Sequence, residues 1–244
     1  MPSSVANSRP FQLGATFATL VGVAFLLRPL EQALAPAGPD PGQLATLAGR
    51  GGALAVLGGL RSVVAGGFWL KANLAWERRE AAATAEMIAL TVAADERPAY
   101  FWLNGARMLA YDLPEWRLEA AAPAAVRHQV VAEGAQQALR FLEQGRRWHG
   151  ADPAFFIEMG NIHLRRLGDG EGAARCYRRA AELPGAPYYA ARIHGELLRE
   201  LGRPAEALAW LRQVVAQLPA DDPAARRAVV EERIRALERE GRAR

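Results

Sequence analysis

The longest uninterrupted apolar segment of the chain lies near its amino terminus. Residues Phe11–Leu27 read FQLGATFATLVGVAFLL without a charged side chain, and they stand between Arg9 and Arg28. A membrane-spanning helix needs about 20 mainly apolar residues, with a lower bound near 17. No polar face interrupts the segment, as it would in a surface helix of a soluble domain. The pattern therefore predicts an uncleaved, single-helix membrane anchor within residues 1–35.

A cleaved signal peptide is the alternative interpretation of the same segment. Ala33-Leu34-Ala35 resembles a signal-peptidase site, but Pro36 would directly follow the cut, and the apolar run exceeds the usual h-region of about 7–15 residues. Prolines and glycines then recur in residues 36–46, where proline disfavours helix. We therefore expect a short Pro/Gly linker over residues 36–46.

The segment Gly51–Leu70 is nearly all apolar, yet Arg61 stands at its centre. A charge at mid-bilayer costs about 2.5–3.5 kcal/mol on insertion scales, which disfavours a second membrane crossing without excluding it. Glycines recur every seven residues and place small side chains on one helical face that another helix could approach closely: Gly52, Gly59 and Gly66. A buried helix that leads into the following domain is the favoured interpretation.

From Asp152 onward the sequence repeats itself with a period close to 34 residues. Matching residues 34 positions apart are Gly168 and Gly202, Ala173 and Ala207, and Tyr177 and Leu211. Matching residues 35 positions apart are Gly160 and Gly195, and Pro184 and Pro219. One residue is therefore inserted or displaced at two places between the copies.

The repeated residues have the properties of two helices joined by a tight turn. Gly160 and Gly195 would let the helices of a pair approach closely, because a larger side chain would hold them apart. Gly168 and Gly202 fall where a left-handed residue ends a helix at low cost. Prolines suited to the first turn of a helix follow at Pro153, Pro204 and Pro223.

This pattern resembles the tetratricopeptide repeat (TPR), a helix-turn-helix unit of 34 residues. The resemblance implies an all-α fold: a right-handed α-solenoid of TPR-like helix pairs, here with an N-terminal transmembrane helix and a C-terminal capping helix. The order of its predicted segments, an anchor, a short linker and then helical repeats, is similar to that of membrane-anchored bacterial TPR proteins of unassigned role. After the anchor and the linker, we therefore predict three regions: degenerate helical repeats over 47–150, two clear repeat units over 151–220 and a polar capping helix over 221–244.

Composition excludes several classes of protein. Cys176 is the only cysteine of the 244 residues, so neither an internal disulfide nor a thiolate zinc site can form. The formal net charge is +4, but acidic residues are interspersed with the arginines, and Lys71 is the only lysine. Nucleic-acid binding usually needs a surface patch of one charge sign, so no nucleic-acid partner is expected.

No motif of catalysis or metal binding is found in the sequence. It lacks a Gly-x-Ser-x-Gly elbow and a phosphate-binding loop, and the four histidines are scattered: His128, His149, His163 and His194. We therefore predict a protein that is not an enzyme, with no cofactor, no metal site and no catalytic residues.

In TPR arrays the first helices of successive pairs line a concave groove that holds peptides. The resemblance places these residues there: Asn161, Arg165, Arg192, Glu196 and Arg199. An upstream group with spacings of three and four adds Asn104, Arg107 and Tyr111. Guanidinium groups on one face could clamp a carboxylate. Two alternatives remain: the charged side chains pair with one another, and the aromatic residues around Tyr111 serve only as core.

These observations lead to one predicted function with one alternative. The first is a non-catalytic, membrane-tethered scaffold that binds a protein or peptide partner through the groove, with Phe11–Leu27 as its contact with the membrane. The alternative is a structural subunit of a membrane complex that packs through the Gly52/Gly59/Gly66 face. Either would place the chain in the bacterial inner membrane as a single-pass protein, with a periplasmic repeat domain.

Overall fold

The computed structural model describes residues 51–242, with their side chains from Leu60 onward, and residues from Gly58 onward form one compact unit. In this part of the chain every regular element is a helix and no strand occurs, so the all-α prediction is confirmed there. The α-helices are α1 Gly51–Glu77, α2 Ala81–Ala94, α3 Ala99–Arg107, α4 Leu113–Trp116, α5 Ala124–His149, α6 Pro153–Ile162, α7 Gly170–Ala181, α8 Tyr188–Glu200, α9 Pro204–Gln217 and α10 Arg227–Arg242. Two π-helical turns, π1 Met108–Asp112 and π2 His163–Leu167, and a 3-10 turn, Pro223–Ala225, complete them.

Helices α1 and α2 form the first pair, joined by a turn in which Arg79 is left-handed (φ 58°). Two threonines of α2 are fully buried because each hydroxyl donates to a backbone carbonyl one turn earlier, Thr84 to Glu80 at 2.9 Å and Thr91 to Met87 at 2.7 Å. The end of the pair is fixed by Ser62, whose hydroxyl donates to buried Asp95 at 2.8 Å.

Helices α3 and α5 contribute to the largest cluster of buried apolar residues in the described part of the chain. Gly145 of α5 lies against Trp102 of α3, where an added Cβ would come within 2.7 Å of the ring. The Trp102 indole N–H donates to the Glu96 carbonyl at 2.8 Å, so its polar edge is satisfied inside the core. Leu142 and Phe155, both 0% exposed, continue this cluster toward α6.

In the pairs α6–α7 and α8–α9, the two helices approach each other closely at a glycine of the first helix, as the sequence predicts. A Cβ on Gly160 would lie 2.9 Å from the Tyr177 ring, and a Cβ on Gly195 would lie 2.8 Å from Leu211. Tyr177 and Leu211 are therefore the second-helix partners of the two glycines, and the same sequence register produces the same contact in both pairs.

The turns inside these two pairs also match the prediction. Gly168 and Gly202 have φ values of 63° and 74°, a region that side chains with a Cβ rarely adopt. Asp152 caps the start of α6 by accepting from the Ala154 amide at 2.9 Å, and Pro153 and Pro204 occupy first-turn positions.

The capping helix begins later than the sequence predicts. Pro223 starts only the 3-10 turn, because Arg226 adopts a left-handed conformation (φ 47°) and the helix restarts at Arg227. Ala225 is fully buried by this turn, and the Arg227 guanidinium donates to the Leu218 carbonyl at 2.9 Å, which ties the restart to the end of the preceding segment.

The predicted single-pass location in the bacterial inner membrane, with a periplasmic repeat domain, is corrected by the described helices. No helix in residues 51–242 is both long enough and apolar enough to cross a bilayer. Helix α1 has the length, at 27 residues, but Arg61 and Lys71 interrupt its apolar sequence, and each charge is costly in hydrocarbon. The predicted anchor Phe11–Leu27 and linker 36–46 lie outside the described residues.

Candidate partner-binding site

An ion pair between a half-exposed arginine and a buried carboxylate joins the first helices of two neighbouring pairs. The Arg107 Nε of α3 donates to Glu158 Oε2 of α6 at 3.0 Å, and the Glu158 side chain is only 5% exposed. Arg107 also reaches Asn104 Oδ1 at 3.5 Å. A buried carboxylate without a partner would be strongly destabilising, so Glu158 fixes the position of Arg107. Two predicted site residues, Asn104 and Arg107, are thus held on the same surface.

The other residues of this surface come from the π turns. Tyr111 lies in π1, and Arg165 and Arg166 lie in π2. The Arg166 guanidinium stands 5.3 Å from the centre of the Tyr111 ring and donates to Glu115 at 2.9 Å. These contacts join π1 to π2, and π turns are frequent at functional sites because they redirect side chains. We call Arg107, Tyr111, Glu158, Arg165 and Arg166 the arginine cluster.

Arg165 is an exposed member of the arginine cluster that has no ion-pair partner among the described residues. No carboxylate of the described residues lies within 4.0 Å of it, whereas Arg107 and Arg166 each have one. Burial raises the pKa of Tyr111, and the nearby Glu158 charge adds to this effect, so the phenol stays neutral near pH 7. The cluster therefore offers a free guanidinium beside a neutral aromatic ring.

The side chain of Asn161 already accepts a hydrogen bond from the second helix of its own pair. The Tyr177 hydroxyl donates to Asn161 Oδ1 at 2.7 Å, and burial raises the pKa of Tyr177 to about 12. The amide oxygen of Asn161 is therefore used to fix α7 on α6. Its amide nitrogen is the part that remains for a ligand.

The remaining predicted residues form a second group, which contacts the cap. Arg192 donates to the Ala225 carbonyl at 3.1 Å, and Glu196 pairs with Arg199 of its own helix and with Arg233 of α10 at 3.1 Å. For Glu196 and Arg199 the structure thus shows the mutual pairing considered as an alternative above. Burial and the nearby Arg226 lower the pKa of Arg192.

Two members of the arginine cluster were not singled out from the sequence. Glu158 is the one charged residue of PAFFIEMGNI, and a lone carboxylate in an apolar helix is a signal that a buried partner is required. Arg166 had no such signal, because its contact with Tyr111 depends on the π turns.

No metal centre or reactive thiol is found in the described residues. No three histidine, cysteine or acidic side chains within residues 51–242 are arranged to hold a metal ion. Burial raises the pKa of Cys176 to about 11, which makes its thiol a poor nucleophile. His163 donates to Asp169 at 2.9 Å, and Asp169 also accepts from the Gly172 amide at 2.8 Å, so this pair closes the start of α7.

The chain matches no protein-family model and no curated protein. Among solved structures it is similar to a thermophilic TPR protein of Thermus thermophilus, with 19% sequence identity and a TM-score of 0.42, over 92% of this chain and 98% of that one.

Helices α6–α9 form two TPR-like helix pairs, as the sequence repeat predicted. The contacts within these pairs carry this description. Glycines in register on α6 and α8 touch their partners on α7 and α9, and left-handed glycines form the turn within each pair.

Proposed function

We propose that the chain is a non-catalytic scaffold that binds a protein partner on the surface formed by its first helices. The observation that carries the proposal is the arginine cluster, in which Glu158 pairs with Arg107 and Tyr111 contacts Arg166, while Arg165 is exposed and has no carboxylate within 4.0 Å among the described residues. A guanidinium that has no carboxylate within the described part of its own chain is suited to the carboxylate of a partner, because it can donate two parallel hydrogen bonds.

The charges of this surface favour an acidic partner segment. Three arginines of the cluster face Glu158 and Glu115, which leaves one positive charge uncompensated. The Tyr111 ring beside it can contact an apolar side chain of the same segment. The partner we propose is therefore a protein with an exposed acidic stretch next to an apolar residue.

The charge-reversed variant Arg165→Glu tests this proposal most directly. The matched control is Arg147→Glu, which makes the same charge change at an exposed arginine on α5 without a described ion-pair partner. We expect recovery of the partner from a native lysate, measured by quantitative mass spectrometry, to fall about tenfold or more for Arg165→Glu, since a hydrogen bond to a charged group contributes about 1.5–3 kcal/mol. Equal recovery by wild type and both variants, with unchanged circular dichroism, would contradict the proposal.

A second candidate function is a structural subunit that packs through α1. The observation that favours it is a row of exposed apolar residues on α1, where Val63 is 69% and Leu70 63% exposed. Between them, an added Cβ on Gly66 or Gly67 would meet nothing within 4 Å. Gly52 and Gly59, the other glycines of the predicted face, lie outside the described side chains.

The variant Gly66→Leu separates the two candidates. On an open surface a leucine here leaves the fold intact but blocks the close approach of another helix. If α1 is the binding face, Gly66→Leu abolishes recovery of the partner and Arg165→Glu does not. The opposite pattern supports the arginine cluster.

A further inference from the structure

The second-helix side of the repeats carries a groove that the proposed function does not use. Two adjoining cavities, of about 460 and 320 Å³, run between α7 and α9 with α8 beneath them. Both are lined by Arg178, Trp210 and Gln213, so they form one continuous groove, which we call the outer groove. Cavities of about 300–1,000 Å³ are the usual size of ligand sites.

Small side chains leave the outer groove open, and one aromatic ring gives it a rigid wall. Ala174 and Ala181 of α7 face Ala209 of α9 across it, so the seam between the helices is not filled. The Trp210 indole N–H donates to the Ala191 carbonyl at 2.8 Å, and His194 meets the Trp210 ring edge-on at 4.7 Å. The shape is therefore preorganised without a ligand.

One end of the outer groove is apolar. It is lined by Leu183, Pro187, Tyr188, Val214 and Leu218, with Gln213 and Gln217 on the exposed side of α9. This end has room for one bulky apolar side chain, and the two glutamine amides can donate to and accept from a peptide backbone.

The other end is polar, and its charges are unequally matched. Arg203 is bound by Glu171 at 3.2 Å and by Glu206 at 2.6 Å, so this group is closed but keeps one negative charge at this end of the groove. Arg178 pairs only with Glu182, and no described carboxylate lies within 4.0 Å of Arg175. Arg175 and Arg178 therefore leave one positive charge at the middle of the groove.

His194 adds a hydrogen-bond acceptor to the floor. It is 6% exposed, and its Nδ1–H donates to the Ala174 carbonyl at 2.9 Å. In the neutral ring Nε2 is then the acceptor, and no described group donates to it. A ligand that fits this groove therefore brings an N–H or O–H donor.

We propose that the outer groove binds an extended peptide segment that carries a bulky apolar side chain and a carboxylate. The apolar side chain enters between Tyr188 and Trp210, the carboxylate meets Arg175 and Arg178, and a peptide N–H donates to His194. Helix α9 has 14 residues and is about 21 Å long, which matches roughly six extended residues at about 3.3 Å each. None of the lining residues belongs to the arginine cluster, so this is a second and separate site.

The test uses fluorescein-labelled hexapeptides and fluorescence polarisation with the full chain. Each peptide holds one leucine or phenylalanine and one aspartate or glutamate at varied separation, in glycine and serine. A matched set replaces each acid by its amide. We expect acidic members to bind at least about tenfold more tightly than their amide counterparts, a difference of about 1.4 kcal/mol. Equal binding of both sets, or no binding up to about 1 mM, overturns the proposal.

Two variants locate the site. Gln213 is exposed and lines both cavities, so Gln213→Trp fills the outer groove without disturbing the core, and we expect it to reduce affinity about tenfold or more. The matched control, Ala216→Trp, adds the same ring at an exposed position of α9 outside both cavities and should bind as wild type does.

A charge variant and a cross-test complete the design. Arg175→Glu should abolish the preference for acids over amides, and circular dichroism melting checks that it folds. Arg165→Glu should leave peptide binding unchanged. Peptide binding that survives Gln213→Trp and Arg175→Glu but is lost in Arg165→Glu would assign it to the arginine cluster and overturn the second site, whereas the proposed function would stand.

Discussion

The two repeat units α6–α7 and α8–α9 share their central contact but differ in the last turn of the first helix. Gly160 and Gly168 are eight positions apart, whereas Gly195 and Gly202 are seven apart. The extra residue of the first unit falls in π2, while α8 stays α-helical through Glu200. A one-residue insertion is thus absorbed as a π turn, and the left-handed glycine that follows is retained in both units.

The two units also differ in whether the charged side chains of the first helix are already paired. The π turn places Arg165 and Arg166 beside Tyr111 of π1, and Arg165 remains without a carboxylate among the described residues. On α8 the corresponding surface is regular, and Glu196 and Arg192 are bonded to α10 and the turn before it. We therefore expect the inserted residue, rather than the regular part of the repeat, to mark the proposed partner-binding surface.

The largest effect is expected from a variant that removes the contact between the first-helix glycine and its second-helix partner, which both units share. Leu211→Ala removes a side chain that is 2% exposed and touches Gly195, and we expect it to cost about 2–5 kcal/mol in urea unfolding followed by circular dichroism. Adding Gly195→Ala should cost less in this background than in wild type, because the new Cβ enters the cavity. Additive costs, or a loss below about 1 kcal/mol, would show that the glycine–leucine contact does not hold the pair together.

A smaller effect distinguishes the starts of the two second helices. Asp169 accepts from the Gly172 amide, whereas no side chain caps α9 at Arg203. We expect Asp169→Ala to lower the free energy of unfolding by about 0.5–2 kcal/mol and Arg203→Ala to have a smaller effect. Urea unfolding of both variants near pH 7 makes the comparison, and equal losses would contradict it.

The same cap gives a dependence on acid pH. The Gly172 amide holds the pKa of Asp169 below its ordinary value, with a further contribution from His163. A carboxyl group with a lowered folded-state pKa stabilises the fold above its unfolded pKa of about 3.9, and the stabilisation is lost as the pH falls through the folded pKa. The difference in stability between wild type and Asp169→Ala should therefore shrink below about pH 4.

Another variant is expected to convert the first repeat unit into the form of the second. Deletion of Leu164, which is 37% exposed, removes the extra residue of π2 and should give the first unit the regular helix of the second. We expect the chain to fold with a loss of about 1 kcal/mol or less, since the broken Arg166–Glu115 pair lies partly at the surface. Binding of the acidic partner should be lost. Unchanged binding would show that π2 does not position the arginines.

The helix pairs were accessible from the sequence because each depends on a local rule. Close approach of the helices requires the glycines at 160 and 195, and a left-handed backbone requires those at 168 and 202. Their spacing was therefore sufficient to predict both units. The slip between spacings of 34 and 35 was visible too, and it is the signal from which π2 could have been predicted.

The candidate sites were less accessible because they depend on contacts between helices distant in sequence. The pair Arg107–Glu158 joins residues 51 positions apart, and Trp210 and Ala191 meet only when α9 packs on α8. The spacing of three and four placed Arg107 and Tyr111 on one face but did not indicate which charges would be neutralised. The break at Arg226 was also missed; in the structure it accompanies the complete burial of Ala225, which no local pattern indicates.

The smallest expected effect concerns a position at which the two repeat units carry different residues. His194 stands 35 positions after Met159. Burial lowers its pKa, and Arg178 and Arg203 add to this effect, whereas the hydrogen bond to the Ala174 carbonyl and the Glu182 charge oppose it. The unfolded chain binds a proton below about pH 6.5 while the folded chain keeps the ring neutral, so stability should fall as the pH drops through that value. His194→Met, which copies the first unit, should abolish this part of the decrease between pH 7.5 and 5.5 in urea unfolding, whereas the exposed control His128→Met should retain it. Identical pH profiles for His194→Met and wild type would mean that the histidine is not held neutral between the two helix pairs.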